Sequence, residues 1–373
     1  MARRPDGEKP FLRPQPIGPG SRRALDLSLA VRPEGGADPR LDLSAVAASD
    51  SVLFLAGDEG GTLRRLAWHA RKARFLEDRA FDLVGLLQLP HRGADVELDI
   101  EGLAVDGSRL WVVGSHSVAR RTAKDLNDHA RTIARLAELR REPSRHLLAM
   151  LPLSLDPAGL PEPIHPGAAR LATDERGSEL SALLARDLHL APFVGVPAKE
   201  NGLDIEGIAV LDGRVFLGLR GPVLQGWAIV LEIAPRLVGG GRLELAPLAD
   251  GKLYHKHFLD LGGLGLRELL SDPQAPRDLL LLAGPTMQLD GPVHLFRWAE
   301  AAGHQAERLV SSAELGQPQI VPWGWGCDHA EGVCLLPPPA GHGSELLVVY
   351  DSPDSRRLRK KGRLRVDVLP LRV

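Results

Sequence analysis

The chain has 373 residues, 44% hydrophobic and 25% charged, with a formal net charge of −2 and a pI near 6.7. That balance excludes the global positive charge of a nucleic-acid or anionic-membrane binder, and no stretch approaches the ~18 uninterrupted apolar residues of a membrane helix. The only cysteines, Cys327 and Cys334, are too few for a disulfide framework, so a reduced, cytoplasmic protein without an export signal is expected.

The first 22 residues are polar and Pro-rich and predict a flexible segment. Residues 23–31, "RALDLSLAV", alternate as a strand does. At 41–60 comes "LDLSAVAASDSVLFLAGDEG": an apolar run, a turn, then a second apolar run, the pattern of a β-hairpin. The frame recurs at 98–117, "LDIEGLAVDGSRLWVVGSHS", and almost word for word at 203–222, "LDIEGIAVLDGRVFLGLRGP". A copy at 265–286 keeps the turn and second run but has lost the Glu-Gly, and one at 329–354 carries a Pro/Gly insertion in its turn. Short apolar runs at 146–153, 227–233 and 292–298 supply third strands. Residues 119–141, with Leu126, Ile133 and Leu136 at helical spacing, and 178–190 predict helical insertions beside the second copy. At the end, "GRLRVDVLPL" (362–371) reads as a strand able to pair with residues 23–31 and so close a ring.

Repeated small antiparallel sheets predict an all-β fold, a β-propeller in one domain spanning 23–373. Five copies predict five blades, or six if an irregular one lies within 145–200 or 236–260.

In a hairpin the start of the first strand and the end of the second share one edge. The repeats therefore send Ser44 with Asp58 and Glu59, Glu101 with Ser115 and His116, Glu206 with Arg220, the Gly284-Pro285 pair, and Glu331 with Asp351 to one mouth of the central channel. Asp99 and Asp204, two residues before their glutamates, and His329 before Glu331, project from the same side. Carboxylates so crowded require protons, an arginine or a cation. Glu101, Glu331, Asp99 and Asp204 are the candidate metal ligands, and hard oxygen donors suit Ca²⁺ or Mg²⁺. Blade staples that accept backbone N–H bonds are the competing role for the acids. The Gly after each Glu implies a tight turn or a close approach of blades. His116 and Glu206 are the candidate catalytic residues, His116 for its near-neutral titration. Arg220, Ser115, Arg120 and Asp351 are the candidate substrate contacts, with Arg121 beside them, while salt bridges to neighbouring glutamates are the alternative for the arginines. "CDHAEGVC" (327–334) matches no closed zinc pattern, and Cys334 reads as a core residue. "GDEGG" (57–61) lacks the lysine and helix of a phosphate loop, and no G-x-S-x-G elbow is present.

The motifs "DIEGLAV…LWVVGSHS", "DIEGIAV…VFLGLRGPV", "LLLLAGP…GPVHLF" and "AEGV…LLVVYDSP", in that order over roughly residues 40 to 370, resemble an uncharacterised bacterial family, domain of unknown function 3616. The resemblance implies a propeller and no particular activity. In fold and style of site, the pattern is more distantly similar to esterase-like phytase and calcium-dependent nucleotidase propellers, whose glutamate-bearing blades surround a cation. Two expectations follow: a metal-assisted hydrolase of a phosphate ester or other ester, or a non-catalytic propeller holding a small-molecule ligand or protein partner at the same mouth. A monomer that engages neither nucleic acid nor membrane is expected in both cases.

Overall fold

The computed structural model describes residues 23–31, 38–89, 97–123, 127–175, 177–287, 289–341 and 344–373. Each repeated hairpin opens a four-stranded antiparallel sheet. The first runs Leu43–Ser49, Val52–Gly57, Thr62–His69 and Arg74–Asp82; the second Ile100–Asp106, Arg109–Gly114, Leu148–Leu155 and Ala169–Leu171. The third is Asp204–Leu211, Arg214–Leu224, Trp227–Gly239 and Tyr254–Asp260, and the fourth Gly265–Asp272, Ala275–Gly284, Val293–Trp298 and Gln319–Val321. His329–Leu335, Glu345–Asp351 and Arg363–Pro370 begin a further sheet whose outer strand is Arg23–Ser28, from the other end of the chain, in register from Arg23 opposite Val368 to Ser28 opposite Arg363. The ring is thus tied shut by its two ends. Residues 145–200 and 236–260 supply outer strands to the second and third sheets, with Arg242–Ala246 pairing the far half of Trp227–Gly239.

Alternation within each strand leaves both faces apolar, and each sheet packs on the next. Val112 and Phe54 meet between the first and second sheets, Val113 and Ile208 between the second and third, and Phe216 and Leu281 between the third and fourth. Leu282 and Val348 meet between the fourth and the last, and Val349 and Leu55 complete the circuit. The innermost strands come close enough to require glycine. A Cβ on Gly102 would lie 2.9 Å from the Ile208 side chain, one on Gly207 2.6 Å from the Leu269 amide nitrogen, and one on Gly332 3.2 Å from the Ser44 carbonyl oxygen. Ser44 Oγ donates to the Ile100 carbonyl at 2.5 Å. With sheets packed radially about a closed ring of inner strands, the chain is a β-propeller.

The insertion at 119–141 differs from the expected continuous helix. Ala119–Arg120 and Leu139–Arg140 pair as a two-stranded arm, and among the described residues of the segment only His129–Leu136 is helical. Ile133 is 69% exposed, so its apolar stripe does not seal the propeller's side, and Leu126 lies outside the described residues, as does the segment 1–22. The second insertion forms a helix at Glu179–Leu184, started by a Ser178/Ser181 capping box. It buries Leu180 and Leu184 against Leu171 and Leu203, closing the outer side of the second and third sheets. No helix among the described residues is long and apolar enough to cross a membrane.

Candidate functional site

Every inner strand carries an irregularity at the same repeat position. Ile100 pairs with Gly114 and Gly102 with Val113, leaving Glu101 as the extra residue of a β-bulge. The same break leaves Ser44, Glu206, Arg267 and Glu331 in the other four. The bulge stops the regular ladder and turns these side chains toward the axis. The ring is therefore Ser44, Glu101, Glu206, Arg267 and Glu331. The copy that had lost its Glu-Gly carries Arg267-Glu268 there instead, and this arginine is the functional residue missed from sequence. Laying "GLREL" over "DIEGL" contained the signal: a cation among four polar or acidic positions.

Arg267 is the centre of a latch. Its Nη1 lies 2.7 Å from Glu331 Oε1 and 3.3 Å from Glu206 Oε2, and Nη2 donates to the Pro285 carbonyl at 2.9 Å. Arg220 takes the other oxygen of Glu206 at 2.6 Å, stands 3.9 Å from Asp204, and donates to the Met287 carbonyl. Arg220, expected to receive substrate, is thus spent on Glu206, and Glu206 is a buried staple between two guanidiniums. Glu206, expected as catalytic, and Arg220, expected as a substrate contact, thus pair with each other, the salt-bridge alternative for the arginine.

Asp99 has a partner outside the repeat. Arg145, from the turn at Pro143–Arg145, lies 2.7 Å from Asp99 Oδ2 and also pairs with Glu97. No sequence spacing tied Arg145 to the mouth. Ser115, a candidate substrate contact, is wholly buried and donates to Asp99, with Ser117 Oγ 2.9 Å away. His116 is 1% exposed. Its Nδ1 contacts the Gly114 carbonyl at 2.9 Å, its ring meets His146 edge-on at 5.4 Å, and its buried Nε2 has no partner. Burial, aided by His146, pulls its pKa down to about 3. This enclosure and lowered pKa weigh against the acid–base role expected of His116. Arg120 also leaves the substrate contacts, because it pairs with Glu200 and donates to the Leu136 carbonyl on the inserted arm. Arg121 pairs with Glu138 there.

The rest of the mouth is less fully neutralised. Half-buried Glu101 has no ion pair or hydrogen bond among the described residues. Burial first, then Asp99, Glu206, Glu331 and Asp204, push its carboxyl well above the usual range. Asp204 is raised by burial and Glu206 despite Arg220. Burial and the charges of Asp99 and Asp351 push Asp58 up to about 8, and its buried Oδ1 has no partner. Asp42, joined to Asp351 by a backbone bridge, is raised to about 6 by burial and Glu59. Asp351 faces His329 Nδ1 at 3.5 Å and accepts from Ser352, while His329 Nε2 lies 2.9 Å from Asp290. Glu331 rises to about 7 through burial, even beside Arg267. A cleft of about 280 Å³ opens beside this half, lined by Asp42, Glu59, Thr62 and Arg64.

No three carboxylates of the mouth, among the described residues, bring ligand atoms within 4.8 Å of one another. A hard cation there would take one or two carboxylates and complete its shell with water. Zinc at residues 327–334 is not supported by position, since Cys334 packs in the core and burial raises its thiol, while Cys327 Sγ lies 3.9 Å from Asp354. The opposite end of the channel is apolar: a cavity of about 300 Å³ lies among Val46, Leu103, Ile208, Leu269 and Val333. The clustered carboxylates and arginines lie at the mouth where the inner strands begin, while the opposite cavity is lined mainly by apolar residues, with Asp50 at its edge.

Several solved structures share coarse similarity with the chain. Glutaminyl cyclase from Myxococcus xanthus is 12% identical over 94% of this chain and 99% of its own, with a TM-score of 0.38. The PQQ-bound aldose sugar dehydrogenase from Streptomyces coelicolor is 12% identical over 93% and 98%, with a TM-score of 0.35. Hydrazine synthase from Kuenenia stuttgartiensis is 11% identical over 88% of this chain, which spans 60% of that longer chain, with a TM-score of 0.34. No curated protein matches. The model of the family described as "Protein of unknown function (DUF3616)" matches residues 42–367, and the chain belongs to that family.

Proposed function

We propose that this member of the DUF3616 family is a cation-dependent hydrolase of an ester, phosphate esters foremost, working at the charged mouth of its channel. The observation that carries the reading is the uneven neutralisation of the ring. Arg220 and Arg267 pair with Glu206 and Glu331, Arg145 pairs with Asp99, and Glu101 is left facing four acids with no cation. Glu101 is the first ligand for Ca²⁺ or Mg²⁺, with Asp204 among the acids whose charge acts on it. Such an ion, when bound, neutralises the acids and polarises an ester oxygen and a water. The chain's own residues supply the rest. Asp99, fixed by Arg145 and Ser115, and Glu206, fixed by two arginines, hold the shape of the mouth, and the cleft at Asp42, Thr62 and Arg64 gives the ester room. Burial and neighbouring acids raise the carboxyls of Glu101 and Asp58, so an ion there competes with protons and binds more tightly as pH rises.

The test is turnover of a panel of phosphate monoesters, carboxylic esters and lactones by the full chain, with calcium, magnesium or chelator. Ion-dependent hydrolysis lost in Glu101→Gln supports the reading. Absence of turnover across the panel with either ion overturns the enzymatic part.

A second reading rests on the latch itself. Arg267 joins the third, fourth and last sheets through Glu206 and Glu331, as a structural staple does. In that reading the propeller binds a small molecule or a protein at the same mouth without converting it. Ligand binding without turnover, unaffected by chelator, would favour it.

A further inference from the structure

A second cluster of ligating side chains lies far out on the third sheet. Glu232, on Trp227–Gly239, pairs directly opposite His255 on Tyr254–Asp260, and His257 lies two residues along on the same face. All three are at most 1% exposed. They are the one group of three or more His, Cys, Asp or Glu among the described residues whose ligand atoms all lie within 4.8 Å of one another. Glu232 Oε2 is 2.9 Å from His257 Nε2 and 3.5 Å from His255 Nδ1. Donors on one tetrahedral zinc, with bonds of about 2.0–2.2 Å, stand roughly 3.3–3.5 Å apart.

The surroundings complete the pattern. Arg214 holds Glu232 Oε1, leaving Oε2 for the ion. Asp250 Oδ2 lies 3.1 Å from His255 Nε2, on the far side of the ring from Glu232, as an outer carboxylate orients a metal-bound imidazole. Nδ1 of His255 and Nδ1 of His257 are buried without a hydrogen-bond partner. An imidazole nitrogen left bare in a protein interior is costly, and a bound ion would use His255 Nδ1 directly.

We propose that Glu232, His255 and His257 bind one zinc ion, with water in the fourth position, as a structural site separate from the channel mouth. Two imidazoles and a carboxylate select a borderline metal over calcium or magnesium. The site ties the edge of the third sheet to the fourth, because His257 packs edge-on against Trp298 at 5.1 Å and Trp298 stacks on His304 at 5.7 Å. It rests on none of the residues assigned to hydrolysis.

The experiment is elemental analysis of the full chain, demetallated and then titrated with zinc, together with the visible spectrum of the cobalt-loaded protein. About one zinc per chain is expected, with cobalt bands of nitrogen and oxygen ligation. His255→Gln and His257→Gln should each weaken zinc at least tenfold, and Glu101→Gln should keep it. Asp250→Asn, which alters only the outer partner, is expected to weaken zinc about 10–100-fold; it carries the test if the histidine variants do not fold. Failure of the wild-type chain to take up zinc at micromolar concentration overturns the site, as does unchanged affinity in these variants.

Discussion

Arg267 holds two carboxylates on different sheets with one guanidinium nitrogen, 2.7 Å from half-buried Glu331 and 3.3 Å from buried Glu206. Removing a buried partner leaves its acids uncompensated, at about 3–5 kcal/mol. Arg267→Met is expected to lose stability on that scale in urea denaturation at pH 8, with the deficit shrinking toward pH 5. The sign follows from Glu331, whose folded pKa of about 7 lies above its ordinary 4.5. A carboxyl raised on folding stabilises fully below the unfolded value and loses that contribution as pH rises through the folded one. A deficit below about 1 kcal/mol at pH 8 would remove Arg267 from its role. Asp58, raised to about 8, acts in the same sense. Asp58→Asn is expected to raise the melting temperature at pH 8 and leave it unchanged near pH 4; a fall at pH 8 would mean that Asp58 is already charged and partnered. The mouth acids were legible from the repeat because their positions are set by the hairpin. Their partners were only half so: Arg220 and Arg267 stand inside the repeat, while Arg145 reaches Asp99 from a loop with no sequence relation to it. His116 shows the limit most clearly, since its neighbours Gly114 and Ser115 say nothing of the His146 ring that encloses it.

The inner strands owe their closeness to glycine. At Gly207 an added methyl would meet the backbone nitrogen of Leu269 at 2.6 Å, and backbone cannot swing aside as a side-chain tip does. Gly207→Ala is therefore expected to cost about 1–3 kcal/mol in chemical denaturation, the range of an overpacked core. A cost under about 0.5 kcal/mol would show that the third and fourth inner strands are free to separate. The fourth strand departs from the rule in an informative way. Where its neighbours have glycine it has Glu268, fully buried, accepting from the Leu269 and Ile208 amides at 2.9 and 3.3 Å. Hairpins, their order and the close approach were all written in the residues. The inserted arm at 119–141 was not, because its 3.6-residue spacing resembles a long helix, whereas pairing at Ala119–Arg120 and Leu139–Arg140 leaves room for only eight helical residues.

At the scale of the molecule, closure depends on a strand that starts the chain and finishes the last sheet. Leu25 and Leu27 are buried with Phe75, Leu364 and Val366, so a chain beginning at residue 32 would expose that layer and an unpaired strand edge. It is expected to melt less cooperatively and to self-associate in size-exclusion chromatography; a cooperative, monomeric product would show that closure is dispensable. The closed ring gathers its carboxylates and arginines at one end of the channel and leaves mainly apolar residues at the other, and the account turns on Glu101, the ring acid left without an arginine. The most direct test is the melting temperature of the full chain with and without calcium or magnesium, at pH 8 and pH 5, beside Glu101→Gln. Saturating ion at about 100 times its dissociation constant contributes roughly 2.7 kcal/mol. The account predicts a rise of several degrees at pH 8, a smaller one at pH 5 because protons compete for the raised mouth acids, and none in the variant. An unchanged melting temperature with both ions at pH 8, or an equal rise in Glu101→Gln, would contradict it.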